Sequence, residues 1–215
     1  MHILLTRQLE DSKDLIQKFK SNGFKVSNLP LLEISKVNYN ALKKNNFNAI
    51  IFTSSNSIRF LDIKSIDKNI ICFCVGSSTE KTARLNGFQQ VYAADGNVRN
   101  LKELVQQNLS SRDNKVLYVS GEVVSYPLDK ELISEGYKVE RLINYCAKHK
   151  ENLDLSFLKS LKNNIPDLVY VYSENSAKSF LKLIKKYELV DYWMNTNLMC
   201  IGEKTSSVLN VIKWK

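Results

Sequence analysis

Residues 49–57 read Ala-Ile-Ile-Phe-Thr-Ser-Ser-Asn-Ser, and residues 168–176 repeat the pattern as Leu-Val-Tyr-Val-Tyr-Ser-Glu-Asn-Ser. Each stretch begins with a short apolar or aromatic run, which is typical of a strand buried on both faces. Each ends in Ser and Asn, whose side-chain oxygens accept hydrogen bonds from the free N–H groups at the start of a helix. Both stretches therefore predict a strand, a polar turn and then a helix.

The same alternation of short apolar runs and amphipathic stretches continues along the chain. We predict strands at 3–6, 25–32, 49–53, 70–75, 90–93, 115–119, 138–145, 168–172, 198–201 and 211–214. Between most of them the apolar residues follow helical spacing, as at Ala177, Phe180, Leu181 and Ile184. Buried strands that alternate with helices indicate parallel sheets covered on both faces. The predicted fold class is α/β.

Three segments of the first half recur in the same order in the second half. Ser-Asn-Gly-Phe-Lys-Val at 21–26 recurs as Ser-Glu-Gly-Tyr-Lys-Val at 134–139, 54–57 recurs at 173–176, and 75–79 recurs at 201–205. Gly23 and Gly136 follow predicted helices, where glycine suits the left-handed residue that ends a helix. Separations above about 100 residues indicate a duplicated α/β unit and not a solenoid.

Four polar turns therefore follow predicted strands, two in each copy of the repeat. In open parallel sheets, ligands bind beyond the carboxyl ends of the strands, and helix N-termini there attract anions. Two facing copies would form a cleft lined by these turns. The predicted ligand is a polyanion large enough to bridge two domains, although each turn alone is also explained as a simple helix cap.

The charge of the chain agrees with an acidic ligand. There are 31 Lys and Arg against 22 Asp and Glu, a formal net charge of +9. The basic residues are dispersed, with no Arg-rich tract, zinc-finger spacing or aromatic RNA-binding signature, so nucleic-acid binding is not expected. A dispersed positive charge is typical of a solvated surface that also favours acidic small molecules.

Cysteine, histidine and hydropathy exclude several other classes. Cys72 and Cys74 alternate within an apolar run and are expected on one face of a buried strand, and the four cysteines show no disulfide or metal spacing. With only His2 and His149, a metal site or a Ser-His-Asp triad is not expected, and no cofactor is predicted. No apolar run is long enough for a membrane span or a signal peptide, so we expect a cytoplasmic protein.

A family resemblance rests on an ordered set of residues: Leu4-Leu5-Thr6-Arg7, Leu29-Pro30-Leu31-Leu32, Ile51-Phe52-Thr53-Ser54, Val75-Gly76 with Thr79, Gly87-Phe88, Leu117-Tyr118 with Gly121, Gly136 with Val139, Tyr145, Ser173 with Ser176-Ala177, and Ile201-Gly202 with Thr205. In this order and at this spacing, the chain resembles the uroporphyrinogen-III synthase family over nearly its whole length. No single element is specific, but the ordered set is.

The resemblance implies a particular architecture. Family members have two flavodoxin-like parallel-sheet domains joined by a two-stranded connection, and one domain is built from both chain ends. Carried over, residues 1–34 and 149–215 form the first domain and residues 38–142 form the second. The interdomain crossings are then 33–37 and 143–148. We also expect a monomer.

The resemblance further implies the reaction and its substrate. The family closes hydroxymethylbilane, a linear tetrapyrrole polycarboxylate, into uroporphyrinogen III with loss of water and inversion of the last pyrrole. The resemblance implies no cofactor or metal, and it leaves open a transient contact with the preceding pathway enzyme. By position, backbone N–H groups and side chains at the strand ends are expected to bind the substrate: Arg7, Thr53, Ser54, Gly76, Thr79, Ser173, Ser176, Gly202 and Thr205.

Tyr145 is the side chain that the resemblance implies for the chemistry. A phenol can donate a hydrogen bond or a proton to the departing hydroxyl. The alternative is that Tyr145 only packs at a domain crossing, as an amphipathic aromatic residue. Two features depart from the family pattern: Lys204 stands where members often have a hydroxyl residue, and the second copy lacks the helix that follows in the first. A non-catalytic two-domain protein that binds a small anion remains the alternative function.

Overall fold

The computed structural model describes residues 1–42, 47–95, 98–109 and 113–215. The chain divides into two compact units. Unit 1 comprises Met1–Glu33 and Lys148–Lys215, and unit 2 comprises Ile34–Ala147. Each unit contains one sheet with helices packed against it.

The described part of the chain contains ten strands and eight α-helices. The strands are β1 His2–Leu5, β2 Lys25–Asn28, β3 Leu32–Lys36, β4 Ala49–Phe52, β5 Ile71–Val75, β6 Val91–Ala94, β7 Lys115–Gly121, β8 Lys138–His149, β9 Leu168–Val171 and β10 Asn197–Cys200. The helices are α1 Leu9–Ser21, α2 Ser55–Arg59, α3 Gly76–Leu85, α4 Val98–Asn108, α5 Leu128–Ser134, α6 Leu155–Asn163, α7 Glu174–Lys186 and α8 Glu203–Leu209. Two short 3₁₀ turns cover Ile63–Ser65 and Val190–Trp193.

The sheet of unit 1 has the order β10-β9-β1-β2, and all of its pairings are parallel. Helix α7 contributes Ala177, Phe180, Leu183 and Ile184 to its core, because residues three or four apart lie on one face of a helix. Phe180 of α7 meets the buried Trp193 with ring centroids 4.9 Å apart in an edge-to-face arrangement. Aromatic pairs of this geometry add to the stability that burial supplies.

The sheet of unit 2 has the order β3-β8-β7-β4-β5-β6, with parallel pairing from β8 to β6. Successive side chains of β4 point to opposite faces, so Ile51 belongs to one buried cluster and Ile50 and Phe52 belong to the other. Cys72 and Cys74 are fully buried on the same face as Ile50, which confirms their prediction as core residues.

The two sheets share one strand order. In unit 1, β10-β9-β1-β2 places the strand before Gly202 next to the strand before Ser173. In unit 2, β5-β4-β7-β8 repeats that order with the strands before Gly76 and Ser54. Segments that match in sequence therefore hold matching places in the two sheets, which supports the duplication. Unit 2 adds β6 beside β5 and β3 beside β8.

Most local predictions are confirmed, and two are wrong. Gly23 and Gly136 end helices with φ of 79° and 94°, as predicted. The predicted strand at 25–32 is instead two strands, β2 and β3: the intervening Pro30 has no N–H to donate to a sheet, and the chain bends at Leu31. The predicted strand at 211–214 is absent: Ile212 and Trp214 pack into the core of unit 1 instead of extending alongside the sheet.

Candidate functional site

In unit 2, the predicted polar turns lie at one edge of the sheet. Thr53 and Ser54 directly follow β4, and Gly76 and Thr79 follow β5. Because β4 and β5 are parallel neighbours, both turns lie at the carboxyl edge of the sheet. Their backbone N–H groups and hydroxyls are thus gathered on the side where ligands of open parallel sheets bind.

These turns are built as the sequence suggests. Ser54 caps α2, and its hydroxyl accepts a hydrogen bond from the backbone N–H of Asn56 at 3.3 Å. Gly76 opens α3 at φ 74°, a left-handed conformation that disfavours any side chain, although space is free where a β-carbon would stand. Thr79 lies one turn further along α3 and is buried.

Tyr145 lies on β8 opposite the end of β7. The pairing of the two strands shifts register here: Ser120 pairs with Ile143, and Gly121 pairs with Tyr145. Asn144 is the additional residue of this bulge, and its buried amide donates a hydrogen bond to the backbone carbonyl of Ser57 at 2.7 Å. The bulge therefore sets the position of the phenol ring.

The Tyr145 ring is closely packed. A β-carbon on Gly121 would lie 2.8 Å from Cζ of Tyr145, closer than side chains tolerate. On another side, Phe60 stacks on the ring with centroids 6.4 Å apart. Glycine at 121 is required by this close approach, since its own backbone angle is not in the left-handed region.

Tyr145 helps to form a small pocket within unit 2. The pocket has a volume of about 170 Å³ and is lined by Thr53, Tyr118, Tyr145, Val98, Val123, Val124, Ser125 and Tyr126. The hydroxyls of Thr53 and Tyr118 lie 3.5 Å apart within it. The hydroxyls of Thr53 after β4, Tyr118 on β7 and Tyr145 on β8 thus meet valine side chains in one cavity, which suits a ligand with both ring and polar atoms.

Burial controls the ionisation of two of the three phenols that line the pocket, those of Tyr145 and Tyr118. It raises the pKa of Tyr145, and contacts with the Ser54 and Ser57 hydroxyls and the Gly121 backbone partly oppose this rise. Burial also raises the pKa of Tyr118, with a smaller opposing effect of its hydrogen bond to Thr53. Both side chains are therefore neutral at pH 7 and can donate hydrogen bonds.

In unit 1, the other predicted residues also lie at the carboxyl edge of a parallel sheet. Arg7 follows β1, Ser173 and Ser176 follow β9, and Gly202 and Thr205 follow β10. Ser173 caps α7: its hydroxyl accepts from the backbone N–H of Ser176 at 3.1 Å. The Ser176 hydroxyl lies 2.9 Å from that of Ser173, so the two hydroxyls are hydrogen-bonded to each other.

Arg7 is held over an aromatic ring. Its guanidinium carbon lies 5.0 Å from the ring centroid of Tyr172, and its Nη2 lies 4.0 Å from a carboxylate oxygen of Asp11. Burial raises the pKa of Tyr172 to about 12, against the opposing effect of the Arg7 charge. Such a cation–π contact fixes the guanidinium while leaving donor groups for an anion.

The structure places the predicted residues in two groups, one in each unit. Tyr145, Thr53 and Ser54 belong to unit 2, together with Gly76 and Thr79; Arg7 and the residues from Ser173 to Thr205 belong to unit 1. Gly202 and Lys204 are exposed, and Thr205 is buried. The sequence alone predicts no role for Tyr118 or Gly121, although both stand in the family pattern. Asn144 is marked in the sequence only as a polar residue within an apolar strand.

Within residues 1–42, 47–95, 98–109 and 113–215, no helix has the length and apolar composition required to cross a membrane. In the same part of the chain, His, Cys, Asp and Glu side chains do not gather in groups of three that could hold a metal ion.

The fold is that of an α/β protein of two units, each with polar turns at the carboxyl edge of a parallel sheet. The family model described as uroporphyrinogen-III synthase HemD matches residues 13–215 of the sequence. The chain belongs to the uroporphyrinogen-III synthase family. It is thus a lyase of tetrapyrrole biosynthesis, as the ordered residues had predicted. No curated protein matches the sequence.

Solved structures of the family share the fold. The uroporphyrinogen-III synthetase of Helicobacter pylori 26695 is 21% identical, with a TM-score of 0.61, and the match covers 98% of this chain and 88% of that one. A mutant uroporphyrinogen III synthase of Thermus thermophilus is 14% identical, with a TM-score of 0.58, covering 100% and 91%. These similarities confirm the predicted α/β fold class with parallel sheets.

Proposed function

We propose that Tyr145 and the pocket of unit 2 carry the chemistry of the family reaction, the dehydrative closure of hydroxymethylbilane to uroporphyrinogen III. The observation that supports this is the packing of the Tyr145 phenol against Gly121, beside Thr53 and Tyr118, in a cavity at the carboxyl edge of the sheet. A neutral phenol in such a place can donate a proton at neutral pH.

The step assigned to Tyr145 is loss of water from the hydroxymethyl group. The phenol donates its proton to the departing hydroxyl oxygen, the C–O bond breaks with its electron pair on oxygen, and water leaves. The positive charge that remains on the tetrapyrrole lies near the phenolate, which can later take back a proton. Because the substrate also closes spontaneously, to the isomer without inversion, the main task of the site is orientation.

The substrate carboxylates are proposed to bind at the strand ends of both units. In unit 2, the donors are the backbone and hydroxyls of Thr53, Ser54, Gly76 and Thr79. In unit 1, they are Arg7, Ser173, Ser176, Gly202 and Thr205. Because the helices begin at these turns, most donors are backbone N–H groups. Single side-chain substitutions there should therefore be mild.

We also propose the boundaries and setting of the enzyme. Residues 1–34 with 149–215, and residues 38–142, are proposed as its two domains, with 33–37 and 143–148 as the crossings. The net charge of +9 favours encounter with a polycarboxylate. A monomer in the cytoplasm that meets the preceding pathway enzyme only transiently is the proposed setting.

The deciding experiment separates the two product isomers. Freshly generated hydroxymethylbilane is incubated with the purified protein, and the oxidised products are separated by HPLC. We expect isomer III to predominate, whereas buffer alone gives isomer I. Isomer I alone, from protein shown by circular dichroism to be folded, would contradict the enzymatic role and favour a non-catalytic anion-binding protein.

A further inference from the structure

Arg141 lies on β8, four residues before Tyr145, and its guanidinium crosses to the end of β7. Its Nε donates to the hydroxyl of Ser120 at 2.8 Å. Its Nη2 donates to the backbone carbonyls of Gly121 at 2.9 Å and Glu122 at 3.1 Å. One side chain thus holds three consecutive residues, 120–122, at the point where the register shifts.

The held segment is also the support of Tyr145. The ring of Tyr145 packs against Gly121. The backbone N–H of Glu122 donates to the carbonyl oxygen of Tyr145 at 2.9 Å. The residues that follow, from Val123 to Tyr126, line the pocket. A shift of the segment 120–122 would therefore move Gly121, on which the phenol ring packs, and Glu122, which bonds to the Tyr145 backbone. It would also move the adjoining wall of the pocket.

Arg141 is not placed as a group that binds substrate. Its Nε and Nη2 groups are engaged by the three acceptors above, and Nη1 lies 3.9 Å from a carboxylate oxygen of Asp129. Its side chain is 23% exposed and that of Asp129 is 14% exposed. The N–H donors of a guanidinium group are held rigidly in one planar fork, so a single arginine can fix several oxygen atoms relative to one another.

We propose that Arg141 is a positioning residue of this enzyme, which fixes the segment 120–122 and through it the phenol of Tyr145 in the pocket. The inference rests on the proposed role of Tyr145. It predicts that the loss of Arg141 lowers kcat much more than it raises KM, because displacement of a reacting group by about 1 Å can cost up to about a hundredfold in rate.

The first test compares Arg141→Met with wild type. The variant keeps an apolar stem and removes all three hydrogen bonds. We expect kcat for isomer III to fall about tenfold or more, with KM changed less than about threefold. Arg141→Lys keeps the charge without the fork, and should retain an intermediate rate; it carries the same test if Arg141→Met does not fold.

Arg84→Met is the matched control. Arg84 belongs to the same unit, donates to the backbone carbonyl of Val91 at 2.8 Å and pairs with Glu80, but contacts none of the residues around Tyr145 that carry this inference. It should keep the wild-type kcat. An equal loss of kcat in Arg84→Met and Arg141→Met would show a general loss of structure and overturn the proposal.

The second test asks whether Arg141 acts through Tyr145. In a double-mutant cycle, Arg141→Met should cost much less kcat in the Tyr145→Phe background than in wild type. Full additivity would overturn the proposal. If Tyr145→Phe lowers kcat but Arg141→Met does not, the positioning role is wrong while the proposed function stands.

A measurement without turnover separates the two proposals. With 3-fluorotyrosine incorporated, the ¹⁹F resonance of Tyr145 is assigned by its absence in Tyr145→Phe. We expect that resonance to shift in Arg141→Met and to stay in place in Arg84→Met. If the wild type formed isomer I alone, the proposed function would fail, and this shift would still report on positioning; an unmoved resonance would contradict it.

Discussion

The phenol ring of Tyr145 lies on the bare α-carbon of Gly121, so close that a β-carbon there would stand 2.8 Å from Cζ. The contact exists because the bulge at Asn144 brings Tyr145, and not its neighbour, opposite Gly121. Van der Waals contact with backbone on one side and with Phe60 on another leaves the ring few alternative positions. Because of this packing, the addition of a single carbon atom at residue 121 would displace the ring and its hydroxyl.

Tyr145→Phe removes the proton donor and keeps the ring. We expect kcat for isomer III to fall about tenfold to a hundredfold, at or below the lower end of general-acid effects, because orientation of the substrate remains. Burial raises the pKa of Tyr145, so the wild-type rate should show no loss from its ionisation until above about pH 10. If the rate falls at alkaline pH in the same way in Tyr145→Phe, the ionising group responsible is not Tyr145.

Gly121→Ala should be as harmful as the loss of the phenol. The added methyl group must displace the ring of Tyr145, so we expect a fall in kcat of about tenfold or more. The matched test is Gly121→Ala in the Tyr145→Ala background, where the absent ring leaves room for the methyl. There, Gly121→Ala should have almost no further effect on rate. A similar loss in both backgrounds would show that the backbone, and not the ring, is disturbed.

The local features of this protein could be predicted from sequence, because they depend on neighbouring residues. Ser54 and Ser173 cap helices where the pattern places them, and the parallel α/β class follows from buried strands between helices. The contacts of Tyr145 could not be predicted in the same way. Gly121 and Asn144 meet Tyr145 and Ser57 only through strand register and a bulge, which depend on residues far apart in the chain.

The wrong prediction at 211–214 has a related cause. Alternation of apolar and polar residues indicates a strand, but Trp214 obtains its burial by folding onto Phe180 and Trp193 instead. A local pattern does not tell an extended segment from one that packs its large side chains on a neighbouring core. The partner residues are supplied by α7 and by the turn 190–193.

Stability in alkaline solution should depend on Tyr172. Its pKa is raised to about 12 in the folded protein, chiefly by burial, whereas in the unfolded chain it has its usual value near 10. Between about pH 10 and 12, the unfolded chain loses this proton and the folded chain keeps it, so the free energy of unfolding falls as pH rises. Below about pH 10, Tyr172 is protonated in both states, and its full contribution to the free energy of unfolding is present.

Urea unfolding at about pH 9 and pH 11.5 measures this effect. We expect Tyr172→Phe to lose less stability over that interval than wild type, because it has no phenol to ionise. The variant retains an aromatic ring beneath Arg7, so the cation–π contact is present in both proteins and only the ionisable hydroxyl differs. Parallel losses in the two proteins would mean that Tyr172 ionises alike in the folded and unfolded chains.

Trp214 should stabilise unit 1 although it follows the last regular element. Its ring lies 6.2 Å from that of Phe180 and 6.3 Å from that of Trp193, and its indole N–H donates to the carbonyl of Leu209 at 3.0 Å. Trp214→Ala removes these contacts from a half-buried site, so we expect the free energy of unfolding to fall by about 2 kcal/mol, less than for a fully buried tryptophan. Lys213→Ala, at the exposed neighbouring position, should change it by less than about 0.5 kcal/mol. Thermal and urea unfolding of the two variants decide the matter: equal small effects would mean that the segment 210–215 contributes little to the core.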